Sequence, residues 1–205
     1  MTPEREQSSP EDKIRQRKQA IRLRVRECRY QQKDKDRLSR RICRKLAELP
    51  EYSNAAVVLF YADIRSEVRT RPFLPRVWQD GKQMVLPYWT NHRLDLFRVD
   101  SLGELSTGTF QILEPPPDWC GRGGRKVDIS QVDLVVLPGV AFDRRGGRVG
   151  RGKGYYDRLL RAARADTALV ALAFECQLVA EAPMLPHDIY MHKVITEAAV
   201  YERTD

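Results

Sequence analysis

The stretch 132–160, VDLVVLPGVAFDRRGGRVGRGKGYYDRLL, decides how this chain is read. An apolar, β-branched run leads into Pro138-Gly139, then into glycines at 146, 147, 150, 152 and 154, then into a helix-like segment headed by Tyr155 and Tyr156. Arg144, Arg145, Arg148, Arg151 and Lys153 stand among those glycines. Glycine lets backbone N–H groups turn toward an oxyanion at close range, and the helix that follows presents its positive end. Arginine and lysine add the net charge that backbone donors lack. Strand, glycine loop and helix in that order predict an ordered phosphate cradle. The cradle is not a standard one. Gly147 to Lys153 satisfies G-x-x-x-x-G-K, but Gly154 stands where a P-loop places the Ser or Thr that holds magnesium. The alternating Gly150, Gly152 and Gly154 do not fit the dinucleotide fingerprint either.

Outward from this stretch, β-prone runs at 55–61, 82–87, 94–99, 168–174 and 194–196 join the one at 132–137. Helical patterns at 72–80, 155–165 and 177–182 lie between them. Apolar strands alternating with helices predict an α/β fold, a single three-layer α/β/α domain over 1–205 with a mainly parallel sheet. An N-terminal basic helical segment precedes the sheet. Ser9-Pro10-Glu11-Asp12 is a helix start, with Ser9 as cap and two acids facing the positive end. Ile14, Ile21, Val25 and Cys28 then mark one buried stripe, and Leu38, Ile42, Leu46 and Leu49 a second. Gln31 to Asp36 holds the break between the two helices, and Pro50 closes the second one. The order of the first ten residues is left open.

With 205 residues, 42% hydrophobic and 31% charged, the chain suits one packed core and is neither fibrous nor disordered in composition. No apolar run reaches the roughly 18 residues of a membrane helix. The polar N-terminus does not resemble a secretory signal, so a cytoplasmic location is expected. The four cysteines are far apart without a C-x-x-C pair and read as small apolar fillers rather than a zinc site or disulfide framework. Net charge is +8, yet residues 13–45 alone hold 15 Lys and Arg against three acids, leaving −4 for the remainder. That block suits a solvated helix face, a phosphate-bearing small ligand or nucleic acid.

The run 138–158, PGVAFDRRGGRVGRGKGYYDR, closely resembles the signature of the 5-formyltetrahydrofolate cyclo-ligase family, also called 5,10-methenyltetrahydrofolate synthetase. Lys18 and Arg22 resemble that family's basic pair on the first helix, and Ser66-Glu67-Val68 with Thr70 its segment after the first strand. Phe110 to Pro115, Gln177-Leu178-Val179, Leu185-Pro186-His187-Asp188 and Ile195-Thr196-Glu197 resemble further family motifs in the right order. The resemblance implies closure of 5-formyltetrahydrofolate to 5,10-methenyltetrahydrofolate with consumption of Mg-ATP, releasing ADP and phosphate. It implies ATP contacts at Lys18, Arg22 and the run Arg148, Val149, Gly150, Arg151, Gly152, Lys153, Gly154, Tyr155 and Tyr156. It implies folate contacts at Glu67, Arg151, Gly152, Lys153, Gly154 and Tyr155, with Tyr155 or Tyr156 as a stacking face. Glu67 also reads as a capping or surface carboxylate, and either tyrosine as a core filler. Mg2+ is the implied cofactor, held by Asp157, while His192 stands where the family carries a second metal aspartate, so that contact is expected to fall to water or to Asp188. His92 and His187 are read as surface or structural, and Trp78, Trp89 and Trp119 as packing residues.

The competing expectation is a small RNA-binding protein that uses the basic helix and the Arg-Gly-Gly repeats at 122–124 and 145–147. Only Tyr30 adds an aromatic to residues 10–50, so the stacking component is thin. Small-molecule substrates are therefore expected as partners, with no nucleic acid, no membrane and a monomer.

Overall fold

Each parallel strand is apolar on both sides, which requires cover on both faces of the sheet. The computed structural model describes residues 9–90, 92–108, 113–121 and 124–204. Its strands are β1 (Val57–Leu59), β2 (Gln83–Thr90), β3 (Arg93–Val99), β4 (Ser106–Thr107), β5 (Leu113–Glu114), β6 (Lys126–Val127), β7 (Leu134–Leu137), β8 (Ala141–Phe142), β9 (Arg148–Val149), β10 (Ala168–Leu172), β11 (Lys193–Ile195) and β12 (Val200–Glu202). Eight of them form one sheet in the order β12-β11-β10-β7-β1-β2-β3-β6. The strands from β11 to β2 run parallel, and β12, β3 and β6 add antiparallel edges. The pairs β4–β5 and β8–β9 stand apart as small antiparallel ribbons.

The helices are α1 (Pro10–Gln31), α2 (Lys35–Ala47), α3 (Pro50–Asn54), α4 (Leu74–Gln79) and α5 (Tyr155–Leu160). Ile42, Leu46, Tyr52, Leu74 and Val77 from α2, α3 and α4 pack on Val58, Met84, Val136 and Val170 at one face of the sheet. Leu160 from α5, with Met191, Val132 and Ile129, covers Leu59, Val135, Leu137 and Ala171 at the other. Burying each such side chain stabilises the fold by about 1.5–3 kcal/mol. Three layers result, but the second is covered by one short helix and irregular segments. The chain turns from β1 toward β2 through α4 on one face, and from β7 toward β10 through α5 on the other. The adjacent β1 and β7 therefore form a topological switch point, whose carboxyl end is where open α/β sheets bind ligands.

Ser9 caps α1 in a reciprocal box with Asp12, and Asp34 at φ 53° makes the break before α2. Residues 1–8 lie outside the described residues, as do 110–112 from the Phe110–Pro115 motif and Arg122-Gly123 from the first Arg-Gly-Gly repeat. Among the described residues no helix is long and apolar enough to cross a membrane.

Several expectations need correction. Pro50 does not close a helix. It opens α3 at the first helical position, where its missing N–H costs nothing. Residues 177–182 are not helical: after a 3₁₀ turn at Glu175–Gln177, Leu178 bridges Phe142 and Val179 N–H donates to the Phe142 carbonyl at 2.8 Å. The expected helix 155–165 stops at Leu160, and Arg164 instead ties the turn to Ser130 and Asp133 ahead of β10. The run 55–61 contributes only three residues to the ladder. β2 and β3 form an antiparallel hairpin. Of the cysteines, Cys43 alone is buried while Cys28 and Cys120 are exposed, because the inner stripe of α1 passes through Lys18, Val25 and Arg29 instead. Trp78 and Trp119 pack, with Trp78 Nε1–H on the Val99 carbonyl, but Trp89 is 53% exposed.

Candidate active site

The loops leaving β1 and β7 open a cleft of about 770 Å³ at the switch point, with α1 across one side. Helix α1 is seated there by Ile21 and Val25 packing against Val140, Ala141, Val149 and Ala182. This packing lays Lys18 and Arg22, one turn apart, along the wall.

The glycine run divides into two parts with different work. Gly146 and Gly147 close the β8–β9 hairpin: Asp143 accepts from the Arg145 and Gly147 N–H groups at 2.9 and 2.8 Å, and from Ala182 N–H at 2.8 Å. A side chain at Gly146, φ 85°, would meet the Met191 carbonyl at 2.1 Å. Arg144 and Arg145 accordingly turn to Tyr201 and Glu181 and do not line the cleft. Gly150, Gly152 and Gly154 do line it. Gly152 has φ 102°, a backbone that L side chains rarely adopt, and the Arg22 guanidinium lies 3.4 Å from where its Cβ would be. Arg22 Nε–H donates to the Gly150 carbonyl at 2.9 Å, and burial lowers the pKa of this arginine.

Three carboxylates face the cleft, and each is held by a cation. Asp188 takes the buried Lys18 ammonium and the Leu185 N–H. Asp157, in the first turn of α5, takes Arg148 Nη2–H at 3.0 Å. Glu67, 5% exposed, takes Arg151 Nη2–H at 2.7 Å on one oxygen and Ile64 N–H at 3.1 Å on the other. Tyr156 lies beneath Arg148, whose guanidinium is 5.7 Å from the ring centroid. Burial first, then the Glu67 charge, pushes the Tyr156 phenol well up from its ordinary value. Tyr155 stands at the mouth beside Trp89, ring centroids 6.4 Å apart, with Arg158 over its face.

The cleft thus brings together Lys18, Arg22, Glu67, Arg148, Gly150, Arg151, Gly152, Lys153, Gly154, Tyr155, Tyr156 and Asp157. It does not include the side chain of Val149, which packs under α1. Nor does it include His192. That residue lies just before β11, outside the cleft lining, and its Nδ1 accepts from Leu169 N–H at 3.0 Å. Sequence reading missed Arg15 and Gln19 on α1, Leu94 on β3, Arg158, Arg161 and the pocket role of His187, while Asp188, expected as a substitute metal contact, lines the cleft but is held by Lys18. Arg15 and Gln19 were findable, since they share a helical face with Lys18 and Arg22.

Among the described residues no three His, Cys, Asp or Glu side chains gather as a metal cage. Magnesium does not need one, because it is commonly held by one or two carboxylates, substrate phosphates and water. Asp157 fits that role from the cleft wall.

Eight cations against three carboxylates around a glycine loop at a switch point define an α/β protein built to take a polyanionic ligand. The comparisons narrow this class. The description "5-formyltetrahydrofolate cyclo-ligase family" matches residues 12–197. A 5-formyltetrahydrofolate cyclo-ligase of Mycolicibacterium smegmatis is 34% identical over 144 residues, 68% of this chain and 72% of that one. The Escherichia coli K12 protein of the same name is 31% identical over 163 residues, 77% of this chain and 87% of that one. The solved Aquifex aeolicus 5,10-methenyltetrahydrofolate synthetase superposes with a TM-score of 0.79 at 34% identity, covering 92% and 93% of the two chains. The chain belongs to the 5-formyltetrahydrofolate cyclo-ligase family and is an enzyme of that type. None of these relatives is named for binding RNA.

Proposed function

We propose that the cleft binds Mg-ATP along α1 and the 150–154 loop, and 5-formyltetrahydrofolate between Glu67 and Tyr155, and joins them in one cyclisation. The observation that carries this reading is the Arg151–Glu67 bridge, because it puts the glycine loop and the pterin-side carboxylate within one side chain's reach. In the reaction the formyl oxygen attacks the γ-phosphorus and the bond to ADP breaks. The formyl carbon, now carrying a phosphate ester, is attacked by N10, which gives up its proton. The C–O bond then breaks with phosphate taking the electron pair, leaving the N5–C–N10 amidinium of the methenyl product.

No protein nucleophile is required. Lys18, Arg22, Lys153 and the loop N–H groups balance the charge that spreads over the transferring phosphoryl group, and alignment supplies much of the rate. Glu67 accepts hydrogen bonds from the pterin, and Tyr155 offers an apolar face to the folate. Magnesium would be held by Asp157 and would supply positive charge against the transferring phosphate. Four unpaired thiols, two of them exposed, suit a reducing cytoplasm.

The test is to mix the protein with Mg-ATP and 5-formyltetrahydrofolate and follow the absorbance of the methenyl product together with ADP release. Equal yields of the two are expected. ADP release without methenyl product would retain the ATP cleft and overturn the substrate.

A further inference from the structure

Arg29 is the third cation on the inner face of α1, at helical spacing beyond Lys18, Arg22 and Val25, and it is 6% exposed. Burying a guanidinium is costly unless its charge is compensated. Lys18 and Arg148, the buried cations that line the cleft, each hold a carboxylate directly. Arg29 does not: among the described residues its hydrogen bonds go to two neutral oxygens. Nη1–H donates to the Gly139 carbonyl at 2.9 Å, and Nε–H donates to the Ser66 hydroxyl at 3.0 Å.

Those two acceptors belong to different walls of the cleft. Ser66 precedes Glu67 in the loop after β1, and Gly139 ends the turn after β7, so one guanidinium spans the switch point from below. Gly139 is fixed from a second side, since Gln177 Nε2–H donates to the same carbonyl at 3.0 Å. The 64–67 loop is closed across its base, where Asp63 accepts from Thr70 and Arg71 N–H, and Arg69 Nη1–H donates to the Arg65 carbonyl at 2.5 Å. Within it, Glu67 holds Ile64 N–H by its own side chain, and outward it holds Arg151, which is itself largely exposed. Arg29 is the buried tether that joins this loop to the Pro138-Gly139 turn, while Arg151 is the exposed one. The charge on Glu67 favours the charged form of Arg29 against the burial that opposes it, so the two are coupled through space as well as through Ser66.

We propose that Arg29 is a positioning residue for the folate half of the cleft: it fixes the 64–67 loop, and with it the Glu67 carboxylate, against the Pro138-Gly139 turn. It also remains beside Glu67 as a compensating charge when Arg151 turns toward phosphate. The inference rests on the cyclo-ligase reading given above and adds a residue to it. Arg29 does not line the cleft, so its removal is expected to act on folate through Glu67 and to leave ATP alone.

The test uses steady-state kinetics of the full chain with each substrate varied in turn. Arg29→Met, which keeps the aliphatic stem, is expected to raise the 5-formyltetrahydrofolate KM by about tenfold, the scale of one charged hydrogen bond, with ATP KM within about twofold and kcat within about threefold. Arg29→Lys, which keeps the charge and one donor, should recover most of that loss. Ser66→Ala should raise folate KM by about threefold, and Arg29→Met with Ser66→Ala should be no worse than Arg29→Met alone, because both break one tether. An unchanged folate KM, an equal rise in ATP KM, or additive effects of the pair would overturn the proposal. If Arg29→Met does not accumulate as folded protein, Ser66→Ala decides: a folate KM equal to wild type rejects the tether. Absence of methenyl product from the wild-type chain would instead reject the cyclo-ligase reading itself.

Discussion

Removing the Asp157 carboxylate should damage the protein twice, and the two effects can be measured apart. The Arg148 guanidinium is buried, and its contacts are Asp157 Oδ1 at 3.0 Å and a longer one to the Pro138 carbonyl at 3.4 Å, while its Nε is a buried donor without an acceptor. Asp157→Ala therefore strands a cation that already has one unmet donor. Breaking a buried pair from one side costs about 3–5 kcal/mol. For a chain of this size each kcal/mol moves Tm by about 2–4 °C, so a fall on the order of 10 °C is expected. Asp157→Asn keeps an acceptor of the same shape and loses only the charge, so Tm should fall by no more than about half as much. The second effect concerns magnesium. Both variants should require a higher magnesium concentration for half-maximal cyclo-ligase activity at saturating ATP, and Asn, being the better folded, is the clean case. Calorimetric unfolding without magnesium isolates the first effect, and a magnesium titration below the new Tm isolates the second. A Tm within about 2 °C of wild type for Asp157→Ala would refute the buried-pair argument. A magnesium requirement unchanged in Asp157→Asn would refute the metal assignment.

Lys153→Ala should cut kcat/KM by about one to two decades, the worth of a charged contact to phosphate, with Tm unchanged because the side chain is exposed; near-native kinetics would remove Lys153 from the cradle. Glu67→Gln should raise folate KM and leave ATP KM little changed, and weakened ATP binding would move Glu67 to the nucleotide side. Lys18→Met should lower Tm by stranding Asp188, and adding Asp188→Asn, which removes the charge but keeps an acceptor for the Leu185 N–H, should restore most of the Tm but not activity; recovered activity would show that Lys18 serves the fold alone. His192→Ala should leave the magnesium requirement at the wild-type value and lower stability by about 1 kcal/mol, because it removes the acceptor of a partly buried backbone N–H. A raised magnesium requirement in that variant would bring His192 back to the metal.

What was legible in the sequence follows from which signals are local. Helix α1 was readable because Ser9, Pro10 and Asp12 form a cap within four residues, and the break before α2 because Asp34 sits in a polar run. The parallel strands were readable because burial on both faces leaves continuous apolar runs. The misread elements are those settled by partners distant in sequence. Leu178 and Val179 have helical spacing but are taken by β8, some 36 residues earlier, and Gln177 spends its amide on Gly139 and Val140. Pro50 is compatible with ending one helix or starting another, and only the packing of Tyr52 in the core selects the second. Cys28 fits an apolar stripe by spacing, yet the cleft places charges on that face of α1.

The site shows the same division at finer grain. Which residue types stand around the cleft is written in the motif; which cation faces which carboxylate is not, because Lys18 meets Asp188 across 170 positions and Arg151 meets Glu67 across 84. These pairings change the chemistry expected of each residue. A lysine read as a free phosphate ligand is buried on an aspartate, and two of five glycines and two of the interleaved arginines serve a hairpin. Phosphate is then left to Arg22, Lys153, the loop N–H groups and whichever paired cations the incoming ligand can draw away. Arg151 is the readiest of these, since its side chain is 44% exposed whereas Arg148 is 4% and Lys18 8% exposed. A pair so unevenly buried opens most readily at its exposed end; on the proposed reading, an ATP phosphate that drew Arg151 away would free Glu67 for the folate, and the order of the two binding events would then depend on this one salt bridge.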